Sequence, residues 1–357
     1  MKRFFTVTGA IIFVLMVFCI VFFLMMYRHE IHTLSSLEER EQGVYTMTYE
    51  GDYGFDEFLK TGASRDAEIE TFVTNRLLKG LPIKLESSEI GCTAFVTKNK
   101  EGEVLYARNF DFNYAPFMQV YTNPDNGYAS VSTVNLTFLG YDKEHLPTAG
   151  LDIDNNCMLL AAPYLPFDGM NEKGVCMALL AVPKTDYNTD PKKITLNTTT
   201  AIRLVLDKAA NVDEAIELLR QYNIYFSAEY GCHFLIADAS GRSVLVEYYD
   251  GAIQVVESEQ DYHIASNFIA YNGLNIGEGG TEFVRYEQVE HALMEKNGVV
   301  STDECADILN QVGVISSDGT NKLQWSVVYN LSEKDGIIWP HRSSEAAWDF
   351  KITGYKN

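Results

Sequence analysis

The chain has 357 residues, 46% of them hydrophobic and 12% aromatic, which is enough for one large domain or two ordinary ones with a sizeable core and too apolar for a disordered protein. Its 28 basic against 49 acidic side chains give a formal charge of −21, and no stretch of the polar part concentrates lysine and arginine. Nucleic acid needs a basic footprint, so it is excluded as a partner. The six cysteines (Cys19, Cys92, Cys157, Cys176, Cys232, Cys305) form no CxxC pair and no zinc-ligand spacing, and the seven histidines include no HExxH, so neither a metal nor a cofactor is expected. Cys157, Cys176 and Cys232 lie in or beside short apolar runs and read as small buried hydrophobes; pairing among the cysteines stays open.

Lys2 and Arg3 precede an uncharged apolar run from Phe4 to Tyr27, closed by Arg28, His29 and Glu30. As a helix rising 1.5 Å per residue, that run suffices for a hydrocarbon core of roughly 30 Å. No small-x-small cleavage site follows it, and Phe18 stands before Cys19 where a lipoprotein signal wants a small residue. Residues 1–30 therefore read as a signal anchor in preference to a removed signal peptide, so the protein is expected to be membrane-anchored or secreted, with the basic flank in the cytoplasm and the rest of the chain extracytoplasmic. Residues 31–62 are polar and turn-rich and read as a linker. A helix is expected over 65–79, with Ser64 as cap, Asp66 and Glu68 in the first turn, Ile69, Phe72, Val73, Leu77 and Leu78 as one apolar face, and Gly80 as the stop. That face needs burial, either as an ordinary core helix or as a pro-segment helix docked on a catalytic domain.

Strands dominate from Thr93. The segments TAFVT and EVLYAR flank a turn-like KNKEGE and predict a hairpin; further strands are expected at 131–139, 157–162 and 175–182. Helices are expected over 199–210 and 212–222, the latter capped by Asn211 with Glu214 at the capping-box position. A meander follows from Cys232, with turns at Ser240-Gly241 and Asp250-Gly251, then helices near 282–295 and 302–311 and a closing strand pair, WSVVYNL and GIIWP. This order suggests an α+β protein with two antiparallel sheets stacked face to face and helix layers outside.

The chemistry centres on Gly91-Cys92. Cys92, Arg108 and Asp111 stand at spacings of 16 and 3, followed by DGMNEKGV with Asn171, ASNF with Asn267, EFVRYEQV with Arg285, and WSVVYN. Through these positions in order, residues 92–357 resemble the choloylglycine hydrolase and penicillin V acylase family, the linear amide hydrolases, which includes acid-ceramidase-like enzymes. The resemblance implies an N-terminal-nucleophile (Ntn) hydrolase with a four-layer αββα sandwich, a cut between Gly91 and Cys92, and a pro-segment over 31–91 that can stay bound. It also implies that Arg108 sits against the thiol, Asp111 orients the new α-amino group, Asn171 and Asn267 serve the oxyanion, and Arg285 supports the charge network.

Independent chemistry supports the nucleophile. A thiol is weak until it loses its proton, and a free α-amino group titrates at about 7.7 to 8.0, so one residue can carry both nucleophile and base. The chain has no Cys-His motif and no GxSxG that would supply an alternative. Gly91 offers an unhindered carbonyl and a backbone able to adopt a strained approach. Phe112, Tyr114, Phe117 and Met118 read either as acyl pocket or as core. The resemblance, and not this chemistry, implies conjugated bile salts, phenoxyacyl penicillins or N-acyl amides as substrates. Transfer of the acyl group to an amine, and a membrane-anchored binding protein with a dead Ntn domain, are the rival readings.

Overall fold

In the computed structural model, residues 13–19, 21–22, 24–78, 91–226, 231–277 and 280–352 are described. In chain order they form helix α1 (Arg28–Ser35), strands β1 (Glu38–Glu41) and β2 (Val44–Tyr49), and helix α2 (Asp66–Val73). Next come β3 (Gly91–Lys98), β4 (Val104–Asp111), β5 (Phe117–Thr122), β6 (Ser130–Asn135), β7 (Pro166–Asn171), β8 (Cys176–Val182) and β9 (Thr195–Asn197). Helices α3 (Thr198–Lys208) and α4 (Val212–Arg220) lead to β10 (Asn223–Tyr225), β11 (Gly231–Ala237), β12 (Ser243–Tyr249), β13 (Ala252–Glu257) and β14 (His263–Ala265). Helices α5 (Thr281–Glu295) and α6 (Thr302–Val312) precede β15 (Leu323–Asn330), β16 (Asp335–Pro340) and β17 (Trp348–Lys351).

Two large sheets result among the described residues. One has the order β1-β2-β5-β6-β7-β8-β11-β12-β13, the other β14-β3-β4-β15-β16-β17. Strand β3 packs on β8 and β11, so the sheets face each other; α3 and α4 cover the nine-stranded sheet, and α5 and α6 cover the six-stranded one. Strand alternation sorts the side chains into two cores. Ala94, Val96, Tyr106, Phe110, Trp325 and Val327 belong to the core between the sheets, whereas Phe95, Leu105, Ala107 and Val328 meet Val289, Leu293, Ile308 and Leu309 of the helices. Because both faces of β4 are covered, all eight of its residues are buried.

The N-terminal part departs from the expected linker. Val44–Tyr49 sets β-branched Val44, Thr46 and Thr48 between Tyr45, Met47 and Tyr49 and forms β2, which adds in parallel to β5 from Val44↔Phe117 to Tyr49↔Thr122. Strand β1 then closes the edge with the charged sequence Glu-Glu-Arg-Glu, which blunts further pairing. Behind it Tyr53 and Phe58 are fully buried. The Tyr53 hydroxyl donates to the Asp207 carboxylate at 2.7 Å, and the Arg203 guanidinium lies 5.6 Å from its ring centroid. Helix α2 buries Ile69 and Val73, and Phe72 meets the Phe58 ring edge-on at 5.2 Å. Its N-cap is Arg65, not Ser64, whose amide donates to Glu68 instead. The helix runs into a wider π turn over Thr74–Leu78; the side chains of Leu77 and Leu78 and the stop at Gly80 lie outside the described residues.

The hairpin, the meander, the four later helices and the closing pair form within a few residues of their expected bounds. Asn211 caps α4, accepting from the Glu214 amide at 2.9 Å. The expected strand at 157–162 is a 3-10 helix, Cys157–Tyr164, containing Pro163; a short apolar run carries no period that separates the two. Residues 136–139 likewise form a 3-10 turn after β6. Cys19, Cys92, Cys157, Cys176 and Cys305 are free thiols. Among the described residues no single helix is long and apolar enough to cross a membrane; Phe13–Met26 and Arg28–Ser35 reach that length only together, bent by 66°. Residues 1–12, 20 and 23 of the expected anchor lie outside the described residues.

Candidate active site

The β3–β4 hairpin places Cys92 opposite Phe110 and Ala94 opposite Arg108, so the thiol and the guanidinium share the inner face as diagonal neighbours. Both are fully buried. Arg108 Nη2 donates to the Cys92 sulfur at 3.5 Å and to the Leu179 carbonyl at 3.0 Å. Its Nη1 forms an ion pair with Asp168 of β7, in the opposite sheet. The Asp168 carboxylate also accepts from Trp325 Nε1 at 3.0 Å and from the Tyr329 hydroxyl at 2.6 Å. Burial pushes the Cys92 thiol up from its usual range, while the charge and hydrogen bond of Arg108 pull against it.

Asp111 lies three residues beyond Arg108, an odd spacing that turns it to the other face of β4. One carboxylate oxygen accepts the Val314 amide at 2.8 Å; the other lies 3.7 Å from Arg285 Nη1. Burial raises its pKa to about 6, opposed first by Arg285 and then by the Val314 amide. Arg285 is not an exposed helix arginine. Glu282, Arg285, Val289 and Leu293 form one buried stripe of α5 at helical spacing. Its Nη1 donates to the Cys92 carbonyl at 2.7 Å and to the Thr93 hydroxyl at 2.9 Å, and its Nη2 to Asn267 Oδ1 at 2.8 Å.

Asn267 follows β14, which pairs with β3, so the chain returns beside Cys92. Its Oδ1 accepts the Cys92 N–H at 2.7 Å, and its Nδ2 donates to the Ala181 carbonyl at 2.7 Å. In the intact chain the Cys92 nitrogen is thus held by Asn267 and not by Asp111. Gly91 is an extended strand residue opposite Asp111 and not a left-handed one, so backbone strain is not its contribution. Its contribution is room, because a Cβ there would lie 3.0 Å from Asp111 Cβ.

Five of the six expected site residues therefore converge, and Asn171 does not. On β7 it faces away from Asp168, toward α3. Its Nδ2 donates to the Leu206 and Ala209 carbonyls at 3.0 and 2.8 Å, and its Oδ1 accepts the Lys173 and Val175 amides. It builds the β7–β8 turn and ties it to the end of the helix. Sequence reasoning missed Asp168, Trp325 and Tyr329, although DGMNEKGV and WSVVYN both belong to the motif set. Phe112, Phe117 and Met118 are core residues, with Phe117 5.1 Å from the Trp325 ring, whereas Tyr114 is partly exposed. The arrangement grips one cysteine three ways, at the sulfur, the nitrogen and the carbonyl.

A penicillin V acylase of Pectobacterium atrosepticum is 32% identical over 111 residues, covering 28% of this chain and 29% of that one. A bile salt hydrolase/transferase of Clostridium perfringens is 27% identical over 227 residues, covering 58% and 66%. The chain thus spans less than two thirds of the length of either relative. A solved conjugated bile acid hydrolase from Clostridium perfringens shares the fold, with a TM-score of 0.53 at 17% identity over 73% of this chain and 92% of that one. The sequence profile of the linear amide C–N hydrolases, choloylglycine hydrolase family, matches residues 92–299, more than half of the chain, and the chain belongs to that family.

Proposed function

We propose that this chain is a cysteine Ntn hydrolase that cleaves a linear non-peptide amide through a thioester on Cys92, after cutting itself between Gly91 and Cys92. The observation that carries the reading is the paired grip on one residue, with Arg108 on the sulfur and Asn267 with Arg285 on the nitrogen and carbonyl of the same cysteine. In maturation the Cys92 sulfur attacks the Gly91 carbonyl, the acyl chain moves from nitrogen to sulfur, and water releases residues 1–91. The new amine then stands beside Asp111, which is paired with Gly91 across the strands.

In turnover the α-amine takes the thiol proton as sulfur attacks the substrate carbonyl. Asn267 Nδ2 leaves the Ala181 carbonyl to donate to the developing oxyanion. The intermediate collapses as the proton passes to the leaving amine, and water then hydrolyses the thioester to the acid. Asn171 was expected to share the oxyanion; its present hydrogen bonds favour a turn-building role.

The names of the relatives make bile salts, penicillin V and other N-acyl amides the substrates to try. Transfer to an amine is the second reading, favoured by the hydrolase/transferase name of one relative; partitioning between water and an added amine separates the two. The membrane anchor over residues 1–30 is part of this proposal, as is retention of residues 31–91 after the cut, which the β2–β5 pairing and the buried Tyr53 support. N-terminal sequencing of purified protein is expected to read from Cys92. Cys92→Ala is expected to leave an uncut, inactive chain; a fully active intact chain would overturn the maturation step.

A further inference from the structure

The Arg108 guanidinium is the cation nearest the Cys92 thiol, and its orientation is imposed from the other sheet. Asp168 takes Nη1, the Leu179 carbonyl takes part of Nη2, and the rings of Phe110 and Trp325 lie 5.3 and 5.8 Å from its centre. Asp168 is in turn held at both oxygens, by Trp325 Nε1 at 3.0 Å and by the Tyr329 hydroxyl at 2.6 Å. All four side chains of this chain of contacts are fully buried. Such a network holds one geometry, because each polar group has lost water as an alternative partner.

We propose that Asp168 is a positioning residue: it turns Arg108 so that its Nη2 edge meets the Cys92 sulfur, and it cancels part of the positive charge felt there. The inference rests on Cys92 being the nucleophile. A fully uncompensated guanidinium in a dry core would strip the thiol of its proton before substrate arrives. A compensated one leaves the proton on sulfur, to be handed to the α-amine during attack. The other charged groups facing the thiol are Asp111 and Arg285, from the far side of β4 and from α5. The phenol of Tyr106 and the thiols of Cys176 and Cys232 complete the titratable surroundings of Arg108, and burial holds all three in their neutral forms.

The test is the ultraviolet thiolate absorbance of Cys92, read against pH as the difference between each protein and its Cys92→Ala counterpart. Asp168→Asn is expected to lower the pH of half-ionisation by about one unit or more, since an unpaired cation close by shifts a thiol on that scale. Its kcat is expected to fall about tenfold or more with KM little changed. Tyr329→Phe removes one donor from Asp168, concentrates its charge on the oxygen facing Arg108, and is expected to shift the profile up by a fraction of a unit. If Asp168→Asn fails to fold, Tyr329→Phe alone decides. Lower thermal stability with an unmoved profile would overturn the proposal and leave Asp168 a structural ion. Full activity in Cys92→Ala would instead remove the nucleophile reading, while the thiolate profile would still report what Asp168 does to the sulfur.

Discussion

Cys92 is served from two faces of one sheet, and the faces differ in kind. Between the sheets, Arg108 and Asp168 form a closed, fully buried pair that touches the sulfur and nothing of the Cys92 main chain. From the helix side Arg285 touches the main chain and not the sulfur; at the strand edge Asn267, whose Nδ2 reaches the Ala181 carbonyl of the facing sheet, holds the Cys92 nitrogen and shares its Oδ1 with Arg285. The inner pair is rigid because a carboxylate, two aromatic faces and a carbonyl leave the guanidinium no second position. The outer set is assembled from a strand, a loop and a helix, with Asp111 only 3.7 Å from Arg285 and not hydrogen-bonded to it. The charge beside the Cys92 sulfur is thus fixed by one closed pair, while the contacts to its main chain come from three separate elements.

Three measurements sharpen or break that contrast. The largest effect is expected from Arg108→Met, which strands Asp168 as an uncompensated buried charge; about 3–5 kcal/mol of stability is lost, read by urea denaturation, together with the activity. A cost within 1 kcal/mol would mean that the inner pair is not a closed unit. The next effect is a pH dependence from the outer set. The pKa of Asp111 rises on folding from 3.8 to about 6, so its contribution to stability is fully present below about 4 and lost as pH rises through 6. The amount is about 3 kcal/mol, and Asp111→Asn is expected to remove this pH dependence when the denaturation of uncut Cys92→Ala chains with and without it is compared from pH 4 to pH 7. Equal slopes in both proteins would refute it. The smallest effect is expected from Thr93→Val, which removes one acceptor from Arg285 and costs about 1 kcal/mol with no change in the ionisation of Cys92; a shifted thiol profile would show that the two faces are coupled.

Much of this site was legible because polar residues kept their order along the chain, and its errors follow from strand alternation. Arg108 and Asp111 are three apart and serve opposite faces; so are Asp168 and Asn171. In DGMNEKG the asparagine attracts attention as a polar donor, yet the aspartate three residues earlier is the one facing the thiol layer. Knowing that DGMN was a strand, with Met170 in the inter-sheet core, would have selected Asp168 by parity alone. Residues 31–62 were misjudged for a different reason. Their average composition is polar, but six residues, Val44–Tyr49, carry a β pattern, and a strand that short is diluted by its neighbours. Arg285 is legible only through the resemblance, since its contacts with the Cys92 carbonyl, the Thr93 hydroxyl and Asn267 are what distinguish it from a solvated helix arginine.

Strand β2 carries one more consequence, in the kinetics of assembly. Its pairing with β5 runs parallel and so demands a long connection, which the continuous chain through residues 50–116 supplies. While Gly91 and Cys92 are joined, that tether keeps the strand at a high effective concentration near its slot. With the proposed cut made, the same slot would be refilled only by a second-order encounter. On that proposal the intact chain is the species that folds and the cut product keeps its shape through slow unfolding, so denatured cut protein is expected to regain structure with a yield that rises with concentration, where intact Cys92→Ala chain refolds independently of it.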